Sequence, residues 1–375
     1  MSINITHDSK SENAVISGPQ LETMLKTQRV IVVIGAGGVG KTTSSVALAI
    51  HAARLGRRVA LLSIDPAKRL AAALGIELGH ELRSVVFPQS AGIKGALSAA
   101  MLDQKAVFDG MVRKHAPSPH IADRILRDPL YVAASTNLSG PLEYMALARL
   151  QELSESAEWD LVVLDTPPDS HALDFLARPN ILSGFVENKV ITRLLKPVVL
   201  AGRAGLGGVI SIGEKVLGGI TSVTGFSALK SFGEFFLLMQ EVIDGFHRSG
   251  ERVVEILKRN STSFVLIAVP HKPAARAASA LIRELHKMNY HVDGIVFNRC
   301  LPKKISDELA DHHDEDALVL KTRSKSEEHV VSGLKLEILN AQRTQPVWFT
   351  QVEDQSADIH SLEGILSFSK LYEGR

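Results

Sequence analysis

Residues 30–43 read VIVVIGAGGVGKTT. Val30 to Ile34 is an unbroken β-branched run, the pattern of a strand buried on both faces. A glycine-rich turn follows, and then TTSSVALAIHAARLG (residues 42–56), a helix pattern closed by Gly56. The turn satisfies G-x-x-x-x-G-K-[ST], with Gly35, Gly40, Lys41 and Thr42 in the fixed places and with the strand before and helix after that the pattern requires. Glycines let the backbone from Gly35 through Ala36, Gly37, Gly38, Val39 and Gly40 turn its N–H groups inward around phosphate oxygens. The helix that begins near Lys41, Thr42 and Thr43 adds unpaired N–H groups and the positive end of its dipole. Lys41 is placed to neutralise the β- and γ-phosphates, and the Thr42 hydroxyl to ligate Mg2+. A strand–helix turn that needs glycines for packing alone would leave the Lys–Thr pair without a reason.

Outward from this loop, short apolar runs alternate with amphipathic helical stretches. Val59–Ile64 (VALLSI), Leu161–Leu164 (LVVL), Phe264–Val269 (FVLIAV) and Gly294–Phe297 (GIVF) read as strands, and Val347–Phe349 as a last short one after Pro346. Ala274–Met288 is one of the intervening helices. This alternation predicts an α/β fold, a doubly wound and mostly parallel sheet covered on both faces. Residues 1–20 read as a flexible polar leader and 21–375 as a single domain. Two stretches, about 92–158 and 181–258, break the alternation and read as helical insertions forming a subdomain.

Composition bounds the partners. Forty-two Lys plus Arg against 41 Asp plus Glu give a net charge of +1, which argues against nucleic-acid binding by bulk charge. The single cysteine, Cys300, can form neither an internal disulfide nor a structural zinc site, so a reducing, cytoplasmic setting fits best. The N-terminal residues lack a secretory pattern, and no apolar run reaches the ~18 residues of a membrane span.

A phosphate cradle becomes a hydrolytic site only with a carboxylate near the metal and a group that positions water. Both are offered at strand ends, where open α/β sheets bind ligands. Asp165 closes LVVL and is the expected holder of a metal-bound water. Asp65 closes VALLSI and is placed to orient water at the γ-phosphate. Either acid alone reads almost as well as a helix N-cap before a proline; a phosphate loop on a neighbouring strand favours the chemical reading for both. The residues beyond them (Pro66, Lys68 and Arg69 after the first, Pro167 and His171 after the second) read as switch segments that order around a γ-phosphate, with solvated helix surface as the plain alternative.

GAGGVGKTT, SIDPAKRLAAALG, LSGPLEYMALARL, WDLVVLDTPPDSHALDFL and IVFNR occur in an order that resembles the ArsA-type ATPases, over about residues 29–370. That family includes arsenical-pump ATPases and the Get-pathway ATPase that delivers tail-anchored membrane proteins; ParA- and MinD-type ATPases are more distant relatives. The resemblance implies a P-loop NTPase fold, ATP and Mg2+ as ligands, and a dimer that closes on ATP and opens after hydrolysis. By position it implies that Asp65 handles the water, that Asp165 and His171 lie in the second switch, and that Asn298 reads the adenine.

Three departures from the family pattern stand out. The early lysine of its phosphate loop, which reaches across the dimer, is here Ala36. The thiolates of its metalloid site and the CxxC pair of its zinc clasp are both absent, so neither arsenite nor zinc is expected. The missing lysine implies a weak ATPase in isolation, a heterodimer with a related lysine-bearing subunit in place of a homodimer, or a substitute cation from Lys68 or Arg69. Apolar patches such as GVISIGEKVLGGI and FGEFFLLMQEVI fall where the family binds clients. They read as a groove for a hydrophobic client or membrane partner, with peripheral membrane association, or more plainly as core and dimer interface. A nucleotide-dependent scaffold of the ParA/MinD kind is the rival reading, and a metalloid-pump motor the less favoured one.

Overall fold

The computed structural model describes residues 18–64, 69–137, 141–167, 223–302, 315–342, 346–355, 359 and 361–373. In chain order these form α1 (Gly18–Thr27), β1 (Val30–Gly35), α2 (Lys41–Arg54), β2 (Arg58–Ser63), α3 (Arg69–Leu74), β3 (Arg83–Ser84), β4 (Ala96–Met101), α4 (Gln104–His115), α5 (Pro119–Arg127), α6 (Pro129–Asn137) and α7 (Pro141–Glu155). There follow β5 (Leu161–Asp165), α8 (Val223–Leu257), β6 (Thr262–Ala268), α9 (Lys272–Lys287), β7 (Val292–Cys300), α10 (Glu315–Ala341), β8 (Trp348–Glu353) and α11 (Leu362–Ser369). The described residues divide into two compact units. One draws on residues 1–101, 152–177 and 256–375, the other on 102–151 and 178–255.

The first unit is built on an eight-stranded sheet of order β3-β4-β2-β5-β1-β6-β7-β8. All neighbours are parallel except the two-residue edge strand β3. Every residue of β1 is buried, although successive side chains point to opposite faces. That requires layers on both sides, and the β-branched run supplies a surface that packs on both. On one face, Ile31 and Val33 belong to a core with Val46 and Ile50 of α2, Leu21 and Leu25 of α1, and Leu70 of α3. The same core takes in Ile365 and Phe368 of α11 and the adjoining Tyr372. Helix α9 packs against β6 and β1, with α10 beside it. The strand order reverses around β1: β2 lies on one side of it beyond β5, and β6 on the other. Such a switch point opens a crevice at the carboxyl ends of the strands.

Two features differ from the sequence reading. Residues 96–101, inside a stretch expected to be helical, form β4. Its sequence ALSAAM has few β-branched residues and favours helix locally, but pairing with β2 from Arg58 to Ser63 overrides that preference. Helix α1 begins at Gly18, within the span read as leader, and is held by the fully buried Leu25 and nearly buried Leu21. The C-terminal segment is amphipathic, and its apolar face is already covered: Ile365, Leu366 and Phe368 are buried, and the Tyr372 hydroxyl donates to Ser44 Oγ of α2 at 2.8 Å.

In the second unit, α4 starts at an Asp103 cap that accepts from Ala106 N–H, and α5 at a Ser118 cap followed by Pro119. Phe108, Met111, Val112, Ile125, Tyr131 and Val242 form its apolar cluster, against which Phe235, Leu238 and Met239 of α8 are partly buried. Of the patch read as either groove or core, these three side chains are thus placed against a core. Residues 181–222, where the glycine-rich patches fall, lie outside the described residues.

At the opposite end of the sheet from the crevice, Asp293 accepts a hydrogen bond from Phe264 N–H at 2.8 Å. Burial pushes its carboxyl up from 3.8 to about 6, against that bond. A raised carboxyl binds its proton more tightly folded than unfolded, so its contribution favours the fold as pH falls from about 6 toward 4 and is lost above about 6. Asp293→Asn keeps an oxygen for Phe264 N–H and removes the titration. We expect the wild type to gain up to about 2 kcal/mol over this variant between pH 7 and pH 4.5, read by thermal melting. Parallel pH profiles would exclude the assignment.

Candidate functional site

The crevice is shaped first by where the chain leaves β1. A Cβ on Gly35 would stand 2.4 Å from Ile267 O of the neighbouring strand, so only glycine lets the backbone pass there. Gly40, at the start of α2, has φ +93°, and a Cβ on it would stand 2.3 Å from Asn298 Nδ2. The turn therefore demands glycine at both fixed positions of the motif, for backbone reasons as well as for ligand access. No side chain caps the start of α2, which leaves the first turn to other acceptors.

Lys41, the first residue of α2, is buried, and its Nζ donates to the carbonyls of Gly35 and Ala36, both at 2.9 Å. The ammonium thus lies folded along its own loop. Across from it, Asp165 at the end of β5 is fully buried. Its Oδ2 accepts from Thr42 Oγ1 and from Ser63 Oγ, each at 2.8 Å, and its Oδ1 from Ser45 Oγ at 3.3 Å. Burial pushes the Asp165 carboxyl up to about 6, while the hydroxyls of Thr42 and Ser63 and the charge of Lys41 pull it back down. Asn298, near the end of β7, donates through Nδ2 to Val39 O at 2.9 Å and so fastens the loop from behind. Thr166 Oγ1 ties the chain after Asp165 to Val33 O of β1 at 2.8 Å.

Beside the loop lies a cleft of about 610 Å³, lined among others by Ala36, Val39, Val269, Ala274, Arg299 and Asp354. Its walls are mostly apolar, with a few charged groups at the edge. Arg299 has a left-handed backbone (φ +58°) where the β7–β8 register breaks, and it is exposed.

Of the residues singled out from sequence, the structure brings together Gly35 to Thr43, Asp165 and Asn298. Pro167 is half-buried just beyond Thr166, and Arg69 opens α3. Asp65, Pro66, Lys68 and His171 lie outside the described residues. Ser45 and Ser63 were not legible. A serine two residues before an acid carries no signal until the register shows that Ser63 stands directly opposite Asp165 on the next strand.

The oxygen set at Asp165 and Thr42 fits a hard divalent cation such as Mg2+, which takes one carboxylate, a hydroxyl and phosphate oxygens. Among the described residues no group of three or more His, Cys, Asp and Glu converges as a metal site. Cys300 is buried, its thiol pushed up to about 12 by burial, and it donates to Phe297 O. It is a packed thiol and not a thiolate ligand. No helix among the described residues is long and apolar enough to cross a membrane.

A strand, a glycine loop with a buried lysine, a helix start, and an acid on the neighbouring strand end define a P-loop nucleotide-binding α/β protein. The chain belongs to the anion-transporting ATPase family of the ArsA type, whose profile matches residues 28–337. It is 29% identical over 292 residues to a protein named ATPase GET3 from Mycosarcoma maydis, covering 77% of this chain and 78% of that one. It is 30% identical over 297 residues to an ATPase get3 of Botryotinia fuckeliana, covering 77% and 78%. A protein named ATPase ASNA1 homolog 1 from Paramecium tetraurelia is 24% identical over 335 residues, covering 84% of this chain and 94% of its own.

Proposed function

We propose that this chain is a Mg2+-dependent ATPase that couples ATP binding and hydrolysis to the opening and closing of a dimer. The observation that carries the reading is the contact of Thr42 and Asp165 at 2.8 Å beside the buried Lys41. A hydroxyl and a carboxylate oxygen meet there next to a cation, at a helix start that no side chain caps. Thr42 and Asp165 would hold the Mg2+, Asp165 through water, and the ion would supply charge stabilisation on the transferring phosphoryl group. Lys41, released from the carbonyls of Gly35 and Ala36, neutralises the β- and γ-phosphates. Asp65 orients the attacking water, and Asn298 reads the adenine. Catalysis is by positioning and charge, with in-line attack of water on the γ-phosphate.

The dimer is a homodimer or a pair with a related, lysine-bearing subunit, in the cytoplasm or peripheral to a membrane, and its output is the handling of a hydrophobic client or membrane partner. A scaffold that anchors itself through its C-terminal helix is disfavoured, because the apolar face of α11 is already buried on α2. Release of phosphate from ATP by the purified chain, measured with Mg2+ and again with excess chelator, tests the reading. Turnover that needs Mg2+ supports it; equal rates in both would refute it.

A further inference from the structure

We propose that Ser63 is a positioning residue for the metal-binding carboxylate, and that it sets how strongly Mg2+ tightens nucleotide binding. The inference rests on the ATPase reading above. Parallel pairing of β2 with β5 places Ser63 directly opposite Asp165, and the next residue, Ile64, donates its N–H to Asp165 O at 3.1 Å. Backbone and side chain of Asp165 are therefore both fixed from the same strand. The Ser63 hydroxyl is buried and donates to Asp165 Oδ2 at 2.8 Å.

The three hydroxyls around Asp165 do not have equal roles. Thr42 is itself a candidate metal ligand, so the hydroxyl that steadies Asp165 at 2.8 Å from the helix side is the one a bound ion recruits. Ser45 is further away, at 3.3 Å from Oδ1. Ser63 comes from an interior strand and donates to the same oxygen as Thr42. It is the donor to that oxygen that is not itself a candidate ligand of the ion. Asp165 holds the ion through water, so loss of this supporting hydrogen bond is expected at the low end of the range for such partners, about tenfold in metal affinity. Binding of nucleotide without metal depends on the loop backbone and Lys41, and is expected to change little, because the Ser63 hydroxyl acts through Asp165.

The test is a calorimetric titration of ATP into wild type, Ser63→Ala, Ser63→Thr and Ser63→Cys, first with chelator and then at a series of free Mg2+ concentrations. We expect Ser63→Ala to bind ATP with chelator as the wild type does, and to need about tenfold more free Mg2+ for half its tightening. Ser63→Thr restores the wild-type midpoint, and Ser63→Cys, a weaker donor of similar size, falls between. A Ser63→Ala midpoint within twofold of wild type overturns the inference. So does an equal loss of affinity with and without Mg2+, which marks a role in folding the loop alone. Thermal melting identifies a variant that fails to fold, in which case the Cys variant decides. Wild type that binds no ATP under either condition removes the ATPase reading itself, a result separate from any difference among the Ser63 variants.

Discussion

Ala36→Lys raises the basal ATP turnover of the purified chain by about three to five powers of ten, the effect of adding a cation to the transition-state phosphates. Ala36 sits at the rim of the cleft, partly exposed, and its backbone is not among the left-handed positions of the loop. A long side chain there meets no backbone strain. Its carbonyl continues to accept from Lys41, since that contact does not involve the side chain. The gain requires that two copies face each other through this loop, so under the proposed dimer it rises with protein concentration. Phosphate release at saturating ATP and Mg2+, measured across a concentration series, reads both effects. Wild-type turnover that is already vigorous, left unchanged by Ala36→Lys, would remove the idea that this chain lacks a cation.

Lys41→Ala lowers turnover by about two to three powers of ten, the loss typical of one donor aimed at developing charge. The side chain is buried against its own loop, so removing it also leaves the carbonyls of Gly35 and Ala36 without that partner. Unsatisfied buried acceptors cost about 1–3 kcal/mol each, less where water reaches them. A modest drop in melting temperature therefore accompanies the loss of activity. Lys41→Arg separates the two effects, because a guanidinium keeps the charge but cannot reproduce a compact ammonium on the phosphates. Its stability lies closer to wild type than its rate does. Equal recovery of both would place Lys41 in a structural role.

Much of the fold was legible because the central strands announce themselves. β1, β5 and β6 are apolar runs buried on both faces, and their identity does not depend on what they pair with. β4 was hidden for the opposite reason: Ala96, Ala99 and Ala100 favour no strand locally, and only the open edge of β2 makes one. The site divides along a similar line. Gly35, Gly40, Lys41 and Thr42 declare themselves by spacing, since a tight turn, a close backbone approach and a charged donor must recur at fixed intervals. Asp165 is visible as an acid at a strand end. Ser63 and Ser45 have no such mark: their role comes from the lateral register of β2 on β5 and from the face of α2 that meets the sheet. Asn298 was read by resemblance as a base-reading group. Its hydrogen bond to Val39 O adds a structural duty, fastening the loop to β7, that no linear motif conveys.

The most direct test of the account is whether a nucleoside triphosphate with Mg2+ seats in the loop around Lys41. Isothermal titration of a slowly hydrolysed ATP analogue into wild-type protein, with Lys41→Ala as control, measures this without reliance on turnover. The account expects a saturable heat of about one nucleotide per chain with Mg2+, much weakened in the variant through loss of a charge-assisted contact. No heat from the wild type at millimolar analogue, or the same binding curve for both proteins, would contradict it.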